Sequence, residues 1–204
     1  MEIVFILLIL RKLLSPTTIF NPQAAAVEYP HGVVRLEGFK SAIIADAAYD
    51  GGNYTEPPTI GLRAGGTHWA SWGTSQEWFR TELYRDMGLD STQALVEWWQ
   101  QLVLSWDAND LIALANTWQG NDVGDTQGFN GDSELALGSI QARVLYMPSA
   151  TDMYFHIDAL RQEAQFIPGV QFTVMPSLWG NSAGAGSSSD DVLFMNNAIR
   201  AFLQ

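Results

Sequence analysis

RVLYMPSATDMYF at 143–155 and VQFTVMPSLWGNSAG at 170–184 decide the fold of this chain. Each contains a short β-prone run, Val144–Met147 in the first and Phe172–Met175 in the second, of the kind that becomes a buried strand. ALRQEAQFI (159–167) lies between them as a helix. Parallel strands need a crossover of this sort, so the unit reads β-α-β with a parallel pair. Asp152 falls in the loop after the first strand, and ligands of α/β sheets bind at the carboxyl ends of strands. The competing assignment is a turn or N-cap aspartate in front of a helix over 156–167.

Outward from this unit, Ser188-Ser189-Asp190-Asp191 opens a last helix in which Val192, Met195, Ile199 and Phe202 share a face. Upstream the period is helical. LEGFKSAIIAD (36–46) places Leu36, Phe39, Ile43 and Ile44 roughly together, and the turn-rich DGGNYTEPPTIG (50–61) interrupts it. Thr74-Ser75-Gln76-Glu77 is a capping-box pattern opening SQEWFRTELYRDM, which should stop near Gly88. Asp90 and Ser91 can cap TQALVEWWQQLVLSW (92–106), and Asp107 can cap ANDLIALANTW (108–118). About five long helices thus accompany only two strands. Two parallel strands cannot cover the apolar faces of that many helices, because such sheets are built from several strands with both faces covered. The expectation is the helical middle and C-terminal end of a larger α/β domain.

The chain has 204 residues, no cysteine, ten Lys+Arg and twenty-two Asp+Glu, for a net charge of −12. Such a surface repels phosphate backbones, which argues against nucleic acid and anionic membranes as partners. Without cysteine there are no disulfides, thiol nucleophiles or thiolate metal sites. The apolar run Ile3–Leu10 is far shorter than the ~20 residues that span a bilayer. It also lacks the basic n-region of a secretory signal, with Glu2 before it and Arg11 and Lys12 after it. A cleavage site could be placed near Ala24–Ala26, but a cytoplasmic location is favoured. Asn53-Tyr54-Thr55 is a formal glycosylation sequon with meaning only for a secreted chain.

Gly180-Asn181-Ser182-Ala183-Gly184 matches the G-x-S-x-G nucleophile elbow letter for letter. An elbow must turn straight into a helix, whereas AGAGSSS is a poor helix former, and no histidine follows His156. The match reads as accidental. His31, His68 and His156 have no metal-ligand spacing. His156 is close enough in sequence to hydrogen-bond Asp152, although a surface or capping role is the better assignment. His68, flanked by Trp69 and Trp72, reads as a packing histidine. Trp98, Trp99, Trp106 and Trp118 are core rings first and substrate-lining rings second. No resident cofactor is implied.

HGVVRLEGFKSAIIADAAYDGGNYTEPPTIGLRA, WGTSQEWFRTELYRDMG, SWDANDLIALANTWQ, ALGSIQARVLYMPSATDMYF and VMPSLWGNSAG, in that order, resemble the homoserine O-acetyltransferase-like members of the α/β-hydrolase superfamily. The resemblance spans roughly residues 30–204. It implies a mostly parallel sheet with a helical cap, and acyl transfer by a serine on an elbow, a histidine base and a strand-end aspartate. Small-molecule acyl donors and acceptors would be the partners, with acyl-CoA as co-substrate only for an acetyltransferase. Asp152 matches the acid. Gly180-Asn181 matches the family's Gly-His turn, so the base position carries Asn181, which has no nitrogen that titrates near neutral pH. Asp107 and Asn109 match a cap-helix motif without a catalytic role. The serine half has no counterpart before Tyr29.

The expected fold class is therefore α/β: an incomplete α/β-hydrolase fold, with a helical cap segment followed by the C-terminal β-α-β-α of a parallel sheet. Residues 1–29 are expected to be an apolar, poorly ordered or non-native lead-in. Residues 30–204 form the partial domain, helical over 36–137 and β-α-β-α over 143–203. The expected function is that of a catalytically incompetent family member, a pseudoenzyme or the product of a truncated gene. Two alternatives stand beside it. One is an interaction module that docks or self-associates through an uncovered sheet edge. The other is an active hydrolase or acyltransferase with a non-standard base such as His156.

Overall fold

The structure, a computed structural model, describes residues 17–20 and 29–204, with side chains from residue 32 onward. The readings of Ile3–Leu10 and of Ala24–Ala26 lie outside the described residues. The chain forms two compact units, Tyr29–Asn121 and a second that joins Thr17–Phe20 to Asp122–Gln204.

The first unit is helical: α1 (Tyr29–Ile44), α2 (Thr59–Ala70), α3 (Gln76–Arg80), α4 (Thr92–Leu104) and α5 (Ala108–Gln119). In α1, Leu36, Phe39 and Ile43 are buried and Ile44 is half exposed. At ~100° per residue Ile44 lies about 140° around the helix from Phe39, so it leaves the stripe that the other three share. These three join Leu62, Val103, Ala108 and Ala115 in one core, with Trp69 and Trp118 packed against it. Those two rings stack at 6.3 Å, and Phe39 lies 5.3 Å from Trp69. Trp118 is thus a core ring, whereas Trp106 is 42% exposed.

Helix α2 carries Gly61, Gly65 and Gly66, residues that weaken an isolated helix by about 1 kcal/mol each relative to alanine. Their use is proximity. A Cβ on Gly61 would stand 2.8 Å from the backbone of Ile43 in α1, and one on Gly66 would stand 2.7 Å from the backbone of Gln100 in α4. The reading of SQEWFRTELYRDM as one helix is corrected. The Ser75 hydroxyl caps α3 by accepting from Trp78 N at 3.1 Å, but the helix stops at Arg80. Glu82 takes a left-handed backbone (φ 55°), and a 3₁₀ turn over Leu83–Met87 runs to Gly88 (φ 78°). Ser91 and Asp107 cap α4 and α5 as expected, accepting from Ala94 N and from the amides of Asn109 and Asp110.

The second unit is built on a three-stranded parallel sheet: β1 (Thr17–Phe20), β2 (Arg143–Tyr146) and β3 (Gln171–Phe172), with β2 in the middle. It also holds α6 (Ser133–Gly138), the crossover helix α7 (Ile157–Ala164) and the closing helix α8 (Ser189–Leu203). Val144, Leu145 and Tyr146 are 0–1% exposed, as expected of a central parallel strand covered on both faces. The expectation of two strands is corrected to three, since Thr17–Phe20, placed in the lead-in by the sequence, pairs with Arg143–Tyr146 in register.

The second pairing is interrupted for a covalent reason. Thr173 N donates to Tyr146 O at 2.9 Å, Met175 N to Pro148 O at 2.8 Å and Ala150 N to Met175 O at 2.9 Å. The bond missing from this alternation would need an N–H on Pro148, which proline lacks. The expected strand Phe172–Met175 is therefore observed as β3 followed by a single bridge between Ser149 and Met175.

Candidate functional site

The pairing beyond Pro148 carries two loops off the same end of the sheet, one after β2 and one after β3. In the first, Asp152 closes a tight turn on itself: Oδ1 accepts from Tyr154 N at 2.7 Å and Phe155 N at 3.2 Å. That leaves Oδ2 directed elsewhere. The helix-cap assignment for Asp152 does not hold, because the residue in the N-cap position of α7 is His156.

In the second loop, Gly180 takes a left-handed backbone (φ 57°) that suits glycine, and Gly180–Ser182 form one 3₁₀ turn. The turn delivers Asn181, whose Nδ2 donates to Asp152 Oδ2 at 3.1 Å. A carboxylate only accepts, so the amide nitrogen must face it. The structure thus brings together the two residues, 29 positions apart, that the sequence singled out.

Hydroxyl groups that the sequence reading passed over tie these loops together. Thr151 Oγ1 donates to Ser177 O at 2.8 Å and accepts from Gly180 N at 3.2 Å. The buried Ser177 Oγ donates to Asp191 Oδ2 at 2.6 Å, which fixes the second loop to the first turn of α8, and accepts from Trp179 N at 3.0 Å. Ser188 caps α8 by accepting from Asp191 N. A strand-end threonine next to the acid was the one available signal; the Ser177–Asp191 pair has none in sequence.

The remaining candidates lie apart from this geometry. Ser182 sits within the 3₁₀ turn, seven residues before α8 begins, and its φ is not positive. It lacks the strained strand-to-helix position of an elbow nucleophile. His156 is exposed, its Nδ1 3.9 Å from Asp158 Oδ2. His68 packs edge-on to Trp69 at 5.8 Å, with Nε2 buried and without a hydrogen-bond partner among the described residues. Burial lowers its pKa, and the Arg35 guanidinium adds to that, favouring the neutral ring. Asp107 and Asn109 belong to a surface lock: Tyr54 Oη donates to Asp107 Oδ2 at 2.6 Å, and Asn109 Nδ2 donates to Gly52 O at 2.9 Å.

Behind the site, Tyr146 Oη on β2 donates to Glu163 Oε2 on α7 at 3.1 Å, both side chains being buried. Burial pushes the Glu163 carboxyl up to about 7, against the partial counterweight of that hydrogen bond. Burial, with the Glu163 carboxylate adding, raises the Tyr146 phenol far above its ordinary range, so it remains a donor. Among the described residues, no group of three His, Cys, Asp or Glu side chains could hold a metal ion, and no helix is long and apolar enough to cross a membrane.

No family model matches the chain. It is 32% identical over 155 residues to a "Probable esterase" of Corynebacterium glutamicum, covering 74% of this chain and 44% of that protein. It is 31% identical over 170 residues to an ethyl acetate hydrolase of Pseudomonas veronii, covering 79% and 48%. To a homoserine O-acetyltransferase of Nostoc punctiforme it is 30% identical over 155 residues, covering 72% and 44%. The solved acetylester hydrolase of Corynebacterium glutamicum superposes with a TM-score of 0.82 at 27% identity, over 91% of this chain and 53% of that one. The chain spans about half the length of the curated relatives it matches. These likenesses to esterases and homoserine O-acetyltransferases, in sequence and in fold, place the chain in the α/β-hydrolase superfamily as a homoserine O-acetyltransferase-like member with a partial α/β-hydrolase fold.

Proposed function

We propose that this chain carries the acid loop and the base turn of an acyl-transfer site, with asparagine in place of the base, and that it does not itself transfer or hydrolyse acyl groups. One observation supports this reading above the others: Asn181 Nδ2 lies 3.1 Å from Asp152 Oδ2. In a triad the aspartate accepts from the imidazole N–H and holds the ring while its other nitrogen moves the proton. Asn181 fills the first half of that role and has no second nitrogen for the other. An amide does not titrate near neutral pH, so neither activation of a nucleophile nor protonation of a leaving group has a carrier at this position. The one G-x-S-x-G in the 204 residues follows the acid and places Ser182 on a 3₁₀ turn.

The esterase and ethyl acetate hydrolase relatives point to short acyl esters as the probe class. Incubation with a fluorophosphonate, followed by intact-mass analysis, should leave the chain unmodified. Stoichiometric addition at Ser182 would overturn the reading.

A second reading, of a module that docks through its sheet edge, is favoured by the sheet order, in which β1 and β3 each pair with a strand on one side only among the described residues. A monomer in sedimentation at every concentration tested, with cooperative unfolding, would argue against it.

A further inference from the structure

We infer that Thr151 is the positioning residue that aims the side chain of residue 181 at Asp152; this rests on the reading of Asp152 and Asn181 as the acid and base positions. The pair joins two loops that contribute no regular backbone pairing of their own past Met175. Ala150 N donating to Met175 O is the last rung of the sheet. Beyond it, the Thr151 hydroxyl bonds to Ser177 and Gly180 of the opposite loop, 26 and 29 residues away.

The chemistry requires a hydroxyl. A threonine oxygen can donate one hydrogen bond and accept others at once. Here it donates to the carbonyl of Ser177, which opens the turn, and accepts from the amide of Gly180, which immediately precedes Asn181. The Gly180 peptide therefore cannot rotate without breaking a bond to the residue adjacent to the acid. Gly180 has a left-handed backbone, from which glycine departs readily, so an external bond to its N–H has an orientation to hold. Thr151 and Asp152 are consecutive, so one loop position carries the acid and the next sets the approach of its partner. Valine at 151 keeps the branched shape and removes both bonds, whereas serine keeps both.

The test places a reporter at the position. In Asn181→His, the introduced imidazole is titrated by nuclear magnetic resonance. An acceptor at Asp152 Oδ2 should raise its pKa above the ordinary 6.5 by roughly one unit, a tenfold change in proton affinity. Asp152→Asn in the same background should abolish that rise. Thr151→Val should remove most of it and Thr151→Ser should retain it. A rise abolished by Asp152→Asn but untouched by Thr151→Val overturns the assignment of Thr151 and leaves the acid–base reading standing. No response to Asp152→Asn overturns both. With Asn181 retained, its side-chain amide gives an independent readout: Thr151→Val should speed its hydrogen exchange several-fold and Thr151→Ser should not. Unchanged exchange in Thr151→Val would overturn the inference.

Discussion

Replacing Glu163 by glutamine should flatten the fall of stability with rising pH, an effect whose size follows from one buried pair. Glu163 is 5% exposed, accepts from Tyr146 Oη at 3.1 Å, and has its carboxyl pushed up from 4.5 to about 7 by burial. In the unfolded chain the same group titrates near its ordinary value. Between those two values the folded state holds the proton and the unfolded state has lost it, so stability falls as pH rises. The contribution is fully present below pH ~4.5, declines through the window to pH ~7 and is flat above it. At about 1.4 kcal/mol per pH unit, the full loss is about 3 kcal/mol, most of which falls between pH 5 and pH 8. Glutamine keeps the shape and an oxygen for the Tyr146 hydroxyl but does not titrate. Any cost of its extra N–H is the same at both pH values and cancels in the difference. Urea unfolding of parent and Glu163→Gln, followed by circular dichroism at pH 5 and pH 8, measures that difference directly. The stability gap should move about 2–3 kcal/mol in favour of the variant from pH 5 to pH 8. A gap that moves by less than about 0.5 kcal/mol would show that Glu163 is ionised in the folded protein at pH 5 already, and would refute the account of the buried pair.

Three further substitutions test the packing. Gly66→Ala gains about 1 kcal/mol of helix propensity but drives a Cβ to 2.7 Å from the backbone of Gln100, so it should destabilise by about 1–3 kcal/mol net in urea unfolding. Lys40→Met removes the ammonium that donates to Asn116 Oδ1 at 2.8 Å and Gln119 Oε1 at 2.6 Å, tying α1 to α5. It should cost about 1–3 kcal/mol by the same measurement. Ser91→Ala removes the cap on α4, bonded to Ala94 N at 3.2 Å, and should lower stability by about 1 kcal/mol.

The parts of the fold legible in the sequence were those with a local, repeating signature. β2, α7 and β3 announce themselves by apolar runs, and the caps at Ser91, Asp107 and Ser188 by residue type. Helix α2 was hidden because its three glycines look like turn residues, and their reason, the close approach to α1 and α4, is a tertiary fact. β1 was hidden for the opposite reason: Thr17–Phe20 is β-prone, but it follows a long apolar run that dominates the pattern. The break between Arg80 and Leu83 depends on the left-handed Glu82, which no periodicity signals. At the site, Asp152 could be placed from the strand preceding it, whereas the weight of Asn181 came from resemblance alone. Thr151, Ser177 and Asp191 act through bonds spanning 14 to 29 residues, and such pairings leave no spacing to read.

The most direct test of the central claim is turnover of a short acyl ester by the purified chain, measured beside an Asp152→Ala variant. The account predicts that the two release product at one indistinguishable rate, no faster than the uncatalysed reaction in the same buffer. Turnover well above that background and lost in Asp152→Ala would contradict it, because Asp152 would then be orienting a working base in spite of Asn181.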